Sequence, residues 1–297
     1  MKRYGWNIII VLTVLVLSCE TASDIRLRKG ATSSVMTSFV YPDSVVTVNV
    51  YGTVSVLDTT RVSDLGNGEV RLNVQGESAT RYVVDGSHSA KFGYPDVKEG
   101  DTVSILAMFG DTEMSAKTYI PTRPEMTMID TMYNTTMDRM YFFIEMSDAP
   151  TTPDYYQLIL TRKYINEKGH QVKEAIECNY YDYLFYQATI GLTQTFIGLF
   201  TDETINGQQY TLKLSIPVAD IWKDVPEEND VAIDIALYHH TEDYYLYARS
   251  VASVESYLLL PVFMSSNVYS NVDGGFGIVS GMSCEVETIV FNRNKTE

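Results

Sequence analysis

The sequence predicts a mostly β protein, in which an N-terminal immunoglobulin-like β-sandwich precedes a larger β-rich domain with at least one helix. Three observations predict this class. Short runs alternate apolar and polar residues, as half-buried strands require. Turn-forming stretches such as LGNGE, VDGSHS and KEGD separate the runs, and a single segment near the C-terminal end has helical spacing instead.

The strands of residues 33–121 are the clearest. Apolar side chains fall on one face of three runs, namely Val46, Val48 and Val50, then Val70, Leu72 and Val74, then Val103, Ile105, Ala107 and Phe109. Short strands joined by tight turns favour an antiparallel sandwich. Pro121 and Pro124 follow, and proline removes a backbone donor, so we predict a domain boundary there.

Residues 122–297 form the second predicted domain, which is rich in tyrosine. The runs QQYTLKLSI and DVAIDIALYH alternate as strands do. Between residues 242 and 258 the apolar side chains recur at steps of three and four, which predicts a helix. Thr241 is the expected N-cap, and Glu242 and Asp243 suit the positive end of the helix dipole.

The N-terminus predicts export and a lipid anchor. Lys2 and Arg3 precede an apolar run that is too short for the ~20 residues of a membrane span. The run ends in Val16-Leu17-Ser18-Cys19, which resembles the lipobox of bacterial lipoproteins. We therefore predict a signal peptide over residues 1–18, acylation of Cys19 and a lipidated tether over residues 19–32.

The charge of the chain excludes one class of partner. The formal net charge is −16. Cleavage of the signal peptide would also remove Lys2 and Arg3, which are both cationic. A protein this acidic repels phosphate backbones, so we predict no nucleic-acid binding.

Motifs for catalysis are absent from the sequence. There is no Gly-x-Ser-x-Gly, HExxH or Cys-x-x-Cys. His239 and His240 are adjacent, and neighbouring strand residues face opposite sides, so they do not suit one metal ion. We predict no catalytic residues, no metal and no cofactor. Cys178 and Cys284 either form a disulfide, which export permits, or are small buried hydrophobic residues.

Two further segments stand out. In CNYYDYLFYQ, Tyr181, Tyr183 and Phe185 alternate along a predicted strand, and we predict that this face is a binding surface. Near the C-terminus, Asp273, Gly274, Gly275 and Gly277 are typical of a tight structural turn. That turn lacks the lysine of a phosphate-binding loop.

The order of FTDETINGQQYTLKLSI, TEDYYLYARSV and SNVDGGFGIVSG resembles a family of Bacteroidota outer-membrane lipoproteins, encoded beside TonB-dependent receptors and catalogued as a domain of unknown function. The resemblance covers nearly the whole mature chain, and SNVDGGFGI is its most specific part. It implies an accessory role at the outer membrane, with the cell surface favoured over the periplasmic face. It carries over no catalytic residues.

We therefore expect a lipid-anchored, non-catalytic binding accessory of a TonB-dependent nutrient transporter or of its small-molecule, glycan or peptide cargo. Two alternatives remain open. One is a surface enzyme that cleaves glycans or peptides, which a buried acid pair in a cleft would favour. The other is an adhesin or pilus-like structural subunit, which a long unpaired edge strand would favour.

Overall fold

The computed structural model describes residues 33–53, 63–84, 86–93, 95–150, 152–190, 193–258 and 268–293. Within these ranges the chain forms eighteen strands and two helices, which confirms the predicted fold class. The predicted signal peptide, Cys19 and the tether lie outside the described residues. No helix in the part of the chain that the structure describes is long and apolar enough to cross a membrane.

Two facing sheets build the N-terminal sandwich. Its strands are β1 (Ser34–Val40), β2 (Val46–Gly52), β3 (Gly68–Val74), β4 (Glu77–Val83), β5 (Ser89–Phe92), β6 (Thr102–Phe109) and β7 (Thr112–Tyr119). One sheet has the order β4-β3-β6-β7, and β1, β2 and β5 belong to the other. The alternating residues of the sequence lie between the sheets, where Val48, Leu72 and Ile105 are buried in one core. This is the predicted immunoglobulin-like sandwich.

The second half of the chain repeats the layered design with more elements. They are β8 (Glu125–Asn134), β9 (Arg139–Ser147), β10 (Tyr155–Ile165), β11 (Gln171–Ala175), β12 (Asn179–Tyr180), β13 (Gln187–Ile190), β14 (Thr193–Phe196), β15 (Leu199–Thr201), β16 (Gln209–Pro217), α1 (Val218–Trp222), β17 (Val231–His240), α2 (Glu242–Leu258) and β18 (Phe276–Phe291). A four-stranded sheet, β12-β16-β9-β8, faces β10 and β17 across a second core that contains Phe142, Leu158, Leu214 and Ile235.

Strand β18 joins the two halves. Its residues Phe276–Gly281 pair in parallel with β1, and from Met282 onward it pairs antiparallel with β17. One eight-stranded sheet, β11-β10-β17-β18-β1-β2-β5 with β15 beside β10, therefore runs through the molecule. The sequence analysis placed all of residues 122–297 in the second domain, whereas Val272 and Val279 lie in the core of the first.

The glycine turn before β18 fixes that strand against the sandwich. Asp273 exchanges two backbone hydrogen bonds with Ser115 of β7, at 2.8 and 3.0 Å. Gly274 has φ +74°, and a Cβ there would lie 2.0 Å from a carbonyl oxygen of β7. Gly277 has φ +122°, and its Cβ would lie 2.0 Å from a carbonyl oxygen of β1. Only glycine combines these angles with such close approach of two backbones.

Helix α2 occupies the predicted range. The Oγ1 of Thr241 accepts a hydrogen bond from the Tyr244 backbone N–H at 3.4 Å, as an N-cap does. The rings of Tyr244 and Phe39 of β1 make an edge-to-face contact, with centroids 5.9 Å apart. The Tyr244 ring also stacks on His240. The helix is thereby held across the outer side of the long sheet.

Candidate functional site

The predicted tyrosine surface forms only in part. Strand β12 ends at Tyr180, and the chain then turns, because Asp182 accepts hydrogen bonds from the backbone of Leu184 and Phe185. Tyr181 and Tyr183 are 49% and 75% exposed, whereas Phe185 is 3% exposed. The prediction that Phe185 shares their face is wrong, because the turn breaks the alternation of a strand.

Phe185 belongs to the second core. Its ring lies 4.3 Å from that of Tyr180 and 5.1 Å from that of Phe200, measured between centroids. The hydroxyl of Tyr180 donates to the carbonyl of Leu158 at 3.0 Å, so this ring is also fixed within the core. These side chains support the segment that carries Tyr181 and Tyr183 but do not contact solvent with them.

Tyr181 lies instead on the outer side of the four-stranded sheet. Its ring stacks on Tyr141 with centroids 5.6 Å apart and planes 26° apart. The ammonium of Lys213 lies over the rings of Tyr141, Phe143 and Tyr181, at 5.3, 5.6 and 5.8 Å. We call Tyr141, Phe143, Tyr181 and Lys213 the aromatic face, while Tyr183 is exposed on the turn that follows Tyr181.

Hydrogen bonds fix this aromatic face to the sheet. The hydroxyl of Tyr181 lies 3.0 Å from Oγ of Ser215, and Arg139 donates to the same Oγ at 2.7 Å. Ser215 pairs with Tyr141 in the sheet, as Lys213 pairs with Phe143. Paired residues in an antiparallel sheet share one face, so these side chains form one preorganised surface.

A second constellation, which the sequence did not predict, lies at the ends of three strands. Asp148 follows β9, Asp154 precedes β10 and Asp202 follows β15. One carboxylate oxygen from each lies within 4.8 Å of those of the other two. Their exposures are 9%, 7% and 2%, respectively. We call these three residues the aspartate cluster.

Strand pairing brings the three aspartates together. Tyr155 of β10 pairs with Thr201 of β15, and the ladder continues with a hydrogen bond from the Asp202 N–H to the Asp154 carbonyl at 3.1 Å. The N–H of Asp148 donates to the Gln208 carbonyl at 3.1 Å, where β9 and β16 meet. The cluster therefore sits where the two sheets of the second half converge.

Two of the three carboxylates, those of Asp148 and Asp154, are hydrogen-bonded to neighbouring side chains. Asp148 accepts from the Tyr156 hydroxyl at 2.7 Å and from the Gly207 N–H at 2.8 Å. Burial raises the pKa of Tyr156, and its hydrogen bond to Asp148 raises that pKa further. Tyr156 is therefore a donor at any physiological pH, and Asp148 accepts as a carboxylate.

His239 is the partner of Asp154. Its Nδ1 lies 2.8 Å from the carbonyl oxygen of Thr122, and its Nε2 lies 3.1 Å from Oδ1 of Asp154. A carbonyl oxygen can only accept, so Nδ1 carries a proton. Nε2 faces the Asp154 carboxylate, so both ring nitrogens of His239 are engaged in hydrogen bonds.

Asp202 lacks such a partner. Its Oδ2 is fully buried and makes no hydrogen bond with any residue that the structure describes. Burial raises the pKa of Asp202, and the negative charges of Asp148 and Asp154 raise it further against the opposing effect of backbone hydrogen bonds. A buried acceptor without a donor costs free energy on the order of 1–3 kcal/mol.

Asp202 also borders a cleft of about 510 Å³. The walls of the cleft include Tyr155, Glu203, Glu242, Tyr245 and Arg249. Burial and then the charge of Glu242 raise the pKa of Tyr155 to about 12. The guanidinium of Arg249 lies 5.2 Å from the Tyr245 ring centroid, so the cleft combines carboxylates, aromatic rings and one cation.

The two adjacent histidines and the two cysteines lie in four different environments. His239 and His240 face opposite sides of β17, since His239 contacts Asp154 and His240 contacts Gln157 at 3.2 Å. Cys178 and Cys284 are both free thiols, so the disulfide that the sequence left open is not formed. Cys178 packs against the second core, where burial raises its pKa to about 11, while Cys284 lies in β18 opposite Tyr238.

The sequence contains a weak signal for the aspartate cluster. Each acid directly adjoins a strand, in the stretches MSDAP, TPDYY and FTDET. Acids at strand ends are common in exposed turns, and their separation along the chain shows nothing of their convergence. Asp148 and Asp154 flank the same connection between β9 and β10, and the pairing of β10 with β15 brings Asp202 to them.

Comparisons with known proteins give a family but no activity. The model of the domain of unknown function DUF4249 matches residues 21–287. No curated protein matches the chain.

Solved structures give only distant likenesses. A two-domain fibronectin type III segment of chicken tenascin is 8% identical, with 88% of this chain and 99% of that chain covered and a TM-score of 0.22. A putative carbohydrate binding protein from Bacteroides uniformis is 9% identical, with 72% and 92% covered and a TM-score of 0.22. An alpha-2-macroglobulin of Escherichia coli, activated by porcine elastase, is 8% identical, with a TM-score of 0.22. The match covers 88% of this chain and 22% of that chain. Scores of this size assign no function to the chain.

Proposed function

Since the chain belongs to the family of the domain of unknown function DUF4249, we propose a function from its own residues: a non-catalytic binding accessory, anchored to the outer membrane by lipid on Cys19. Its proposed partner is a TonB-dependent nutrient transporter or the cargo of that transporter. The lipobox-like Val16-Leu17-Ser18-Cys19 supports the anchor. The resemblance of SNVDGGFGI to lipoproteins encoded beside such receptors supports the choice of partner.

The aromatic face, together with Tyr183 on the turn after Tyr181, is the observation that carries the binding role. Tyr181 and Tyr183 offer large rings with polar tips, at exposures of 49% and 75%. Such residues are enriched at interfaces because they bury much area at a small cost in side-chain entropy. The stack on Tyr141 and the hydrogen bond to Ser215 hold Tyr181 in place before any partner arrives, and preorganisation lowers the cost of association.

The net charge sets the expected character of the partner. A formal charge of −16 favours a basic partner surface or a cationic cargo. Exposed charges more than a Debye length apart are screened, and that length is about 8 Å at physiological salt. We therefore expect association to weaken as salt rises.

Affinity capture from gently solubilised outer membranes tests the proposal. A tagged full-length protein is expected to recover a TonB-dependent transporter. Tyr181→Ala and Tyr183→Ala are expected to lower recovery about tenfold, since loss of an interface anchor typically costs more than about 1 kcal/mol. Tyr82→Ala is the matched control, because Tyr82 is a 79% exposed tyrosine on β4 of the N-terminal sandwich.

Three results decide the outcome. The thermal unfolding midpoints of the variants must match that of the unchanged protein, so that lost recovery reflects lost contact. Equal recovery with all three variants would exclude the aromatic face. Cys19→Ser is expected to abolish acyl labelling and to release the protein from the membrane fraction; unchanged labelling would contradict the anchor.

Hydrolysis of a glycan or peptide is the second candidate, because the aspartate cluster borders the cleft at Asp202. Glycoside hydrolysis commonly uses two carboxyl groups on either side of a substrate bond. In this chain the three aspartates are almost fully buried, and donors occupy both oxygens of Asp148. Turnover of a glycan or peptide by the purified protein, abolished by Asp202→Asn, would establish this second function in place of the first.

A further inference from the structure

The aspartate cluster has more negative charge than its surroundings balance. Three carboxylates converge within 4.8 Å, and His239 is hydrogen-bonded to Asp154 at 3.1 Å. Among the residues that the structure describes, no lysine or arginine forms an ion pair with Asp148, Asp154 or Asp202. The three carboxyl groups therefore meet in an almost fully buried place without a lysine or arginine partner among the described residues.

The orphan oxygen of Asp202 is a second and separate observation. Oδ2 of Asp202 is fully buried without a hydrogen-bond donor among the described residues, in a side chain that is 2% exposed. Buried polar groups in folded proteins are almost always partnered, by protein, water or an ion. Asp148 and Asp154 accept hydrogen bonds, so Oδ2 of Asp202, the buried oxygen without a donor, marks where an additional group belongs.

We propose that Asp148, Asp154 and Asp202 bind a divalent cation of the calcium class. All three side chains offer oxygen, which is the ligand type that Ca²⁺ prefers. His239 does not compete as a ligand, because both of its ring nitrogens already face acceptors. The absence of sulfur ligands and of a free imidazole nitrogen at the cluster argues against zinc.

The cation has a structural consequence for the cleft. It joins the end of β9 and the start of β10, which are close along the chain, to the turn after β15, which is distant from both. That turn carries Thr201, Asp202, Glu203 and Asn206, which form one wall of the cleft. Cation binding therefore fixes the wall of the cleft, while the aromatic face lies on another sheet and stays as it is.

Calcium addition to the chelated protein tests the site. The full-length protein is treated with a chelator, dialysed and titrated with CaCl₂ alone. Calorimetry is expected to show one equivalent bound. Saturating Ca²⁺, at about 100-fold over Kd, is expected to raise the unfolding midpoint by about 5 °C or more. MgCl₂ at the same concentration is expected to have a smaller effect, because Mg²⁺ demands stricter geometry and gives up its waters reluctantly.

Asp202→Asn is the diagnostic variant, and Glu203→Gln is its matched control. Asp202→Asn is expected to abolish Ca²⁺ binding and the shift of the midpoint. In chelator its midpoint is expected to equal or exceed that of the unchanged protein, since it removes a buried charge. Glu203 is the next residue, exposed and in the same cleft, so Glu203→Gln is expected to keep at least 80% of the shift as a rough threshold for an intact site.

Several results would overturn the site. Absence of Ca²⁺ binding to the unchanged protein is one, and retention of full binding by Asp202→Asn is another. An equal response to Mg²⁺ would refute the assignment to the calcium class. If Asp202→Asn does not fold, Asp154→Asn takes its place, and the stoichiometry of the unchanged protein still decides. None of these measurements involves the membrane partner, so failure of this site leaves the proposed binding role intact.

Discussion

The two halves of the chain differ in how many charged side chains they bury. Up to residue 121, the buried polar side chains among the described residues are Ser38 and Thr118. The second half buries five carboxylates and cations and two histidines, namely Asp148, Asp154, Arg162, Asp202, Asp234, His239 and His240. The core of the first half is thus apolar, while the second half buries ionisable groups that each need a specific partner.

The difference supports our proposal that the second half carries the functional sites and that the first half supports it. An apolar core tolerates exchange of residues of similar volume. Buried charges have a high desolvation cost and are retained where they fix a conformation or serve a site. Both the aspartate cluster and the aromatic face lie in the second half, and the N-terminal sandwich lies on the side of the predicted tether.

The largest effect is expected at Arg162, which is 4% exposed. Its guanidinium donates to the carbonyls of Asp220 and Lys223 at 3.0 and 2.6 Å and pairs with Glu174, so it caps the end of α1. Arg162→Ala leaves the buried carbonyl of Ile221 and two partly buried carbonyls without their donor and is expected to cost about 4 kcal/mol. Urea denaturation measures the loss. Arg71→Ala, at an exposed arginine of β3, is the control with less than about 0.5 kcal/mol.

The next largest effect concerns the apolar core of the sandwich. Leu72 is 1% exposed, and Leu72→Ala is expected to cost about 3 kcal/mol through lost burial and the cavity left behind. Because no ionisable group is buried around it, the cost is expected to be equal at pH 7 and pH 5. A cost that changes between these pH values by more than about 1 kcal/mol would break the comparison between the halves.

The third effect is a pH dependence that His240 confers. Burial and then the charge of His239 lower the pKa of His240 from 6.5 to about 3. The unfolded chain takes up this proton at a higher pH than the folded one, so the stability is fully present above pH 6.5 and is lost as pH falls toward 3. The expected loss is about 1.4 kcal/mol per pH unit.

His240→Gln isolates that dependence. The glutamine has no charge to gain, and its amide can still donate to Gln157, which accepts from His240 at 3.2 Å. The difference in unfolding free energy between the two proteins is expected to shrink or reverse steadily from pH 6.5 to pH 4. Parallel pH profiles of the two proteins would show that His240 titrates normally in the folded chain.

The smallest effect is expected at Lys163. Its ammonium lies 2.6 Å from Oδ1 of Asp234, which also accepts from Thr288 at 2.7 Å. Burial would raise the pKa of Asp234, but Lys163 and Thr288 lower it overall. The pair is partly solvated, so Lys163→Met is expected to cost about 1 kcal/mol or less at pH 7, and less as Asp234 becomes protonated. A cost above about 3 kcal/mol would place this pair with Arg162 instead.

Local patterns were enough to predict much of the fold. The alternation around Val48, Leu72 and Ile105 correctly predicted buried faces, because a strand exposes and buries successive residues whatever its partner is. The spacing of Tyr244, Tyr247 and Val251 predicted the helix over 242–258 for the same local reason. The pattern failed at Phe185, where two hydrogen bonds to Asp182 turn the chain within a tyrosine-rich run that reads as a strand.

The sequence by itself determined the class of the fold, the strands and helix with strong periodicity, and the acidic character from which we predict no nucleic-acid binding. Each of these follows from residue type and local spacing. Tertiary structure alone decided that β18 runs through both halves, that Cys178 and Cys284 stay apart, and that Asp148, Asp154 and Asp202 meet. Those outcomes depend on pairing between strands distant along the chain, and periodicity within one strand does not encode which strand it will meet.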